Sequence, residues 1–317
     1  MFGGDGEDWI DPKSVEIIWP GYDDHYDDYG YVTIDDFDPI PEIPEQSYGS
    51  FWYHSAVLLD GNDLIMSCGC GGGYPSMKKC FGLDLRTGTW KPMAPMNFAR
   101  NNLELVKVGH GIMAIGGNAP GEALIEVFNE DFNFWTPMPQ WTGPFHVLSG
   151  HCAVSLNDHQ IMVIGHSGIS VIFDIVTGNW KNTKPIPNPR TGQHACLLAT
   201  IKGIKGILVT GGTEGRIDPN DIYPASIADF YQIENDSWAS IANTSLAVQD
   251  HQMVLYDGMK PAIIGGEYEL YLPEEMDRIH MRNNVQTYQE SNDRWFCCVP
   301  QMNYKRSKFT AVLVPTN

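Results

Sequence analysis

Five tryptophans recur in phase along this chain. Trp90, Trp135, Trp180, Trp238 and Trp295 each close a stretch that opens with a glycine-ended apolar strand, at intervals of roughly 45 to 58 residues. Seven positions before each tryptophan stands a large apolar residue: Leu83, Phe128, Phe173, Tyr231 or Tyr288. A polar one follows it: Asp84, Asn129, Asp174, Gln232 or Gln289. Agreement in both residue type and spacing means that one structural unit is repeated. A unit of this size cannot bury its own faces and must stack on its neighbours.

Within each unit the turn signals fall between short strands. Asp60-Gly61, Gly109-His110-Gly111, Asn157-Asp158 and Asp257-Gly258 separate a first apolar strand from the glycine-ended one, and Arg86-Thr87-Gly88 and Val176-Thr177-Gly178 precede the tryptophan strand. Such residues accept the positive φ that tight hairpins demand. Each unit is therefore expected to hold four antiparallel strands, and several such sheets packed about an axis protect their edges by closing into a ring. The expected fold is all-β, a β-propeller.

The double glycine after an apolar strand, as in Gly116-Gly117 and Gly211-Gly212, resembles the kelch family. So do the aromatic-polar pair, the spaced tryptophan and a following Pro95-Met96 or Met138-Pro139. The resemblance runs from about residue 51 to the end, more weakly from residue 15. His166 departs from it, standing where a second glycine is usual, and the last two units lack a clean Met-Pro.

Six copies of the innermost strand are expected, beginning at His54, Asn102, His151, His194, His251 and Phe309, against five tryptophans. The expectation is six blades, the last joining three N-terminal strands to one C-terminal strand. A single domain, 1–317, then divides into an extended or disordered start at 1–14 and the N-terminal strands of the composite blade at 15–46. The repeats follow at 51–100, 101–149, 150–192, 193–249 and 250–306, with a closing strand at 307–317.

Residues 1–46 hold 14 Asp and Glu against Lys13, a net −13 of the total −19, so the rest of the chain carries −6. Nucleic acid and anionic membrane are poor partners for such a balance. No apolar stretch approaches the ~20 residues of a membrane span. Seven cysteines, dispersed among strands, read as unpaired thiols of a reducing, cytoplasmic setting. They lack the spacing of a thiolate metal site, so no metal and no cofactor is expected. His54, His151, His194 and His251 start equivalent strands, where a structural role bonding backbone groups is expected.

The kelch resemblance implies that function sits on the face bearing the connections between blades and between second and third strands. Candidate partner-binding residues there are Tyr53, Arg100, Asn101, Asn102, Arg190, Gln193, Asp250 and Arg306. Arg100 and Arg190 match in position and suggest a basic ring for an acidic motif of a protein or peptide. Two long insertions, Thr213 to Ala225 and Glu267 to Asn283, rise on the same face. The expected function is a non-catalytic, monomeric protein-interaction module, acting as a substrate adaptor. The resemblance also admits a copper-radical oxidase-like enzyme or an actin-binding protein. No nucleophile elbow, phosphate loop or H-E-x-x-H motif occurs in the sequence.

Overall fold

A computed structural model describes residues 53–59, 61, 63–69, 77–117, 125–138, 150–165, 168–190, 192–215, 222–256, 259–270, 278–302 and 307–313. Alternation of apolar and polar residues, broken by turn residues, produces short strands throughout. Blade 1 holds β1 (Ser55–Leu58), β2 (Leu64–Cys68), β3 (Cys80–Asp84) and β4 (Thr89–Met93). Blade 2 holds β5 (Leu103–Val108), β6 (Gly111–Gly116), β7 (Ile125–Asn129) and β8 (Phe134–Pro137). Blade 3 holds β9 (Cys152–Asn157), β10 (Gln160–Ile164), β11 (Ser170–Asp174) and β12 (Asn179–Asn182). Blade 4 runs β13 (His194–Ile201), β14 (Ile204–Gly211), an inserted hairpin of β15 (Thr213–Gly215) and β16 (Ile222–Pro224), then β17 (Ala228–Gln232) and β18 (Ser237–Ser240). Blade 5 runs β19 (Gln252–Tyr256), β20 (Lys260–Ile264), a second inserted hairpin of β21 (Glu267–Leu270) and β22 (Arg278–Met281), then β23 (Asn284–Gln289) and β24 (Arg294–Gln301). Each blade is an antiparallel four-stranded sheet in chain order from the axis outward.

The described residues thus form five blades, not the six expected. The three N-terminal strands assigned to a sixth blade, and the extended start at 1–14, lie outside the described residues. The closing strand expected from Phe309 contributes only single bridge residues, Ser307 and Thr310. That C-terminal segment nonetheless sits between blades 5 and 1. Ala56 N–H donates to Thr310 Oγ1 at 3.3 Å, Phe309 packs on Ile264 and Val285, and Val312 packs beside Ile65, Leu83 and Trp90.

The repeated aromatic positions explain the core. Leu83 faces Trp90, Phe128 faces Trp135, Phe173 faces Trp180, Tyr231 faces Trp238 and Tyr288 faces Trp295 in register across the third and fourth strands. Four of these pairs have ring centroids 4.3 to 5.3 Å apart, within the favourable range for aromatic pairs. The second strands are buried on both faces: Ile161, Ile207, Leu208, Val209, Ala262 and Ile263 have no accessible surface.

Neighbouring blades are also clamped by polar groups. Trp135, Trp238 and Trp295 donate Nε1–H to the carbonyls of Ala94, Lys184 and Ala242 of the preceding blade at 2.8 to 3.0 Å. The N–H groups of the same three residues donate to the side chains of Asn133, Asp236 and Asp293. Those acceptors sit at φ of 45 to 50° in the turn before the tryptophan strand, a conformation Asn and Asp tolerate. Blades 1 and 3 close that turn differently: Asp84 and Asp174 accept N–H groups two and three residues on, and Gly88 and Gly178 take the positive φ.

Disulfides replace the unpaired thiols expected, and Cys297 is bonded in this way too. Cys68 and Cys80, directly opposite on β2 and β3, are joined within blade 1. Cys152 of β9 is joined to Cys196 of β13, tying blade 3 to blade 4. The reason is positional, because inner strands of adjacent blades bring residues 44 apart in sequence side by side.

Candidate functional site

The residue just before each inner strand takes a left-handed backbone. Tyr53, Asn102, Gly150, Gln193, Asp250 and Lys308 have φ of 50 to 66°. Their peptide groups link around the axis. Asn102 N–H donates to Tyr53 O, Gln193 to Gly150, Asp250 to Gln193, Lys308 to Asp250 and Tyr53 to Lys308, at 2.8 to 3.1 Å. Lys308 fills the sixth place in this ring, where no blade stands among the described residues. The second strands end against the same linkers, which is why they end in glycine. Gly212 has φ +92°, and a Cβ there would stand 2.8 Å from Gly192 O.

The ring frames a small polar mouth on the axis, about 60 Å³ in volume, lined in part by Tyr53, Asn102, Glu104, Gln193, Asp250 and Lys308. Of the expected site residues, Tyr53, Asn102, Gln193 and Asp250 therefore converge there. Asn101 lies half-buried beside Asn102, and Arg306 lies outside the described residues. Arg100 and Arg190 do not form an open basic ring, and this corrects the expectation. Both are buried, with 0% and 2% of their surface exposed. Arg100 donates NH1 to Gly116 O at 2.8 Å and NH2 to Glu126 Oε1 at 2.9 Å, while Arg190 NH2 meets Asp229 Oδ2 at 2.9 Å. Glu126 on β7 and Asp229 on β17 are buried acids that gather the linker of the preceding blade, including Asn97 and Asn188. An arginine in that linker has a carboxylate to fold back onto, and a buried charge must be paired. Blade 5 uses Gln286 instead, bonding the N–H and C=O of Leu246.

His194 bonds a backbone carbonyl as expected, whereas His251 bonds a side-chain hydroxyl. His194 Nε2 lies 3.1 Å from Ile164 O, and His251 Nε2 lies 2.8 Å from Thr210 Oγ1, each reaching the preceding blade. Burial, helped by the nearby Arg190 charge, brings the His251 pKa down to about 3, so it stays neutral. Two groups escaped the sequence reading. Glu104, an acid inside the apolar run Leu103–Val108, has a carboxyl that burial pushes up to about 8. Lys308, 13% exposed, lies 3.4 Å from Glu267 Oε2. Burial, then the Glu267 carboxylate, hold Asp250 well above the ordinary carboxylate range, with Lys308 opposing. Glu104 was visible as a charge in a buried pattern. Lys308 was visible as the residue preceding Phe309, in register with Asp250.

Beside the mouth stand the two inserted hairpins. β16 packs against β21, and Gln249 pairs with Glu267 through both backbone bonds and a 3.0 Å side-chain bond. The guanidinium of half-buried Arg282 lies 3.9 Å from the Tyr268 ring centroid. Among the described residues no three His, Cys, Asp or Glu side chains are grouped to hold a metal ion. No helix is long and apolar enough to cross a membrane.

No family model matches the chain. It is 30% identical to Kelch-like protein 33 of Homo sapiens over 146 residues, 44% of this chain and 26% of that protein. It is 26% identical to Kelch-like protein 23 of Mus musculus over 208 residues, 64% of this chain and 35% of that protein. The chain thus spans about a quarter to a third of the length of the curated relatives it matches. A solved structure of YjhT superimposes with a TM-score of 0.60 at 10% identity, covering 78% of this chain and 84% of that one, which speaks to the fold alone. The repeated motif, the ring of four-stranded sheets and the similarity to these Kelch-like proteins support a kelch-repeat β-propeller family.

Proposed function

We propose that the chain is a non-catalytic, monomeric interaction module that binds a protein or peptide across the face bearing the axial mouth and the two hairpins. The observation that carries this reading is the pair of hairpins. Ring closure does not require them, yet β16 and β21 pack together and raise a wall beside the mouth. Loops of that kind on a rigid scaffold are where recognition is placed. The mouth itself, near 60 Å³, is far smaller than the roughly 300–1,000 Å³ of small-molecule sites. Nothing in the site favours the oxidase-like alternative, and nothing distinguishes actin from other protein partners.

The reading does not extend to an acidic motif, because the two arginines that suggested one are committed to Glu126 and Asp229. A substrate-adaptor role belongs to the same proposal and rests on the Kelch-like similarity, which covers only part of those longer proteins. The cytoplasmic location expected from unpaired thiols sits poorly with these disulfides, which persist in oxidising surroundings.

Peptide selection against the folded chain tests the proposal. Selected peptides should lose about tenfold or more in affinity for a Tyr268→Ala/Arg282→Ala variant, as expected when a stacked arginine anchor is removed. Unchanged affinity in a variant that melts like the parent would place the contact elsewhere.

A further inference from the structure

Carboxyl groups outnumber cations around the axial mouth. Among the described lining residues Glu104 and Asp250 bring carboxyl groups, and Lys308 brings the single ammonium. That ammonium is already matched by the buried Glu267 carboxylate. His251 is neutral, and His194 is engaged with Ile164 O. Asp250 Oδ2 is shielded from solvent, and its carboxyl faces the buried Glu267 carboxyl, so two acids there share the one lysine. The mouth therefore gathers more carboxyl groups than cations to receive them.

We propose that the axial mouth is a socket for one cationic side chain, a lysine or arginine of the protein partner, received by the carboxyl groups of Asp250 and Glu104. This rests on the reading of the face as a protein-binding surface and names the chemistry it selects. Size argues for a single side chain, since about 60 Å³ takes the tip of one residue and not a drug-sized molecule. Sign argues for a cation. An anion would meet two acids and a lysine already spent on Glu267, whereas an ammonium or guanidinium replaces the protons that burial keeps on the carboxyls. The whole chain carries −19, which steers a basic partner toward it.

The test uses peptides selected from a random library on the full chain, each resynthesised with lysine replaced by norleucine and arginine by citrulline. Binding should fall at least tenfold on removing one particular cation, and fall similarly for Asp250→Asn and for Glu104→Gln, as for loss of a charge-assisted hydrogen bond. Asparagine tolerates the left-handed backbone at position 250, and should Asp250→Asn fail to fold, Glu104→Gln alone decides. Peptides that bind undiminished without any cation, or equally to both variants, overturn the socket. If those peptides still require Tyr268 and Arg282, the protein-binding face stands without it. A library that yields no binder to the folded chain removes both.

Discussion

At the scale of single residues the clearest lesson is that position and role separate. Arg100 and Arg190 were correctly placed in matching linkers, but a linear sequence does not show that Glu126 and Asp229 rise from the next blade to meet them. Glu104 illustrates the converse, an acid in an apolar strand that ordinary patterning would treat as an error. Burial holds its folded pKa at about 8, above the ordinary 4.5 of a glutamate. As pH rises between those values the unfolded chain releases this proton while the folded chain keeps it, so Glu104 lowers stability progressively through that window. Glu104→Gln should accordingly be more stable than the parent at pH 8 by at least about 1 kcal/mol and at most about 4 kcal/mol, the full linkage of that window, with the difference vanishing near pH 4.5. Denaturant titrations at the two pH values check this, and a difference that grows toward acid would contradict the assignment.

At the scale of elements the repeat was legible because its signal is local. A glycine-ended strand, an aromatic-polar pair and a tryptophan lie within one unit, and all five aromatic pairs came into register across their strands. The clamps between blades were not legible. They depend on which turn residue adopts positive φ, and on carbonyls about 40 to 54 residues away. Trp295 joins both kinds of interaction, being 6% exposed, packed on Tyr288 and bonded to Ala242 O at 3.0 Å. Trp295→Ala should cost about 3–5 kcal/mol, whereas Trp295→Phe, losing chiefly the hydrogen bond, should cost about 1–2 kcal/mol. Equal losses in equilibrium unfolding would show that packing is not the larger part.

At the scale of the whole molecule, the expected sixth blade shows where reading by repeats stops. Five complete units could be counted. The composition of a composite blade could not, because it hangs on residues 1–52 and on a C-terminal strand with no tryptophan partner. What the structure does show is Lys308 bridging Asp250 and Tyr53 by backbone hydrogen bonds and Phe309 buried against blade 5. Removing residues 307–317 should therefore lower stability by at least about 3 kcal/mol, the cost of losing one buried phenylalanine. A truncated chain with an unchanged thermal transition would mean that the ring does not depend on this segment.

The clamps described run one way, with Trp135, Trp238, Trp295 and their turn side chains gripping the blade made before. A nascent polypeptide leaving the ribosome can thus dock every new wedge onto a finished neighbour as it emerges. Blade 1 is met from the far end of the described residues, by Thr310 and Val312, so that flank waits until this segment is synthesised. Premature termination would release a product with that greasy flank permanently bare, a template for aggregation.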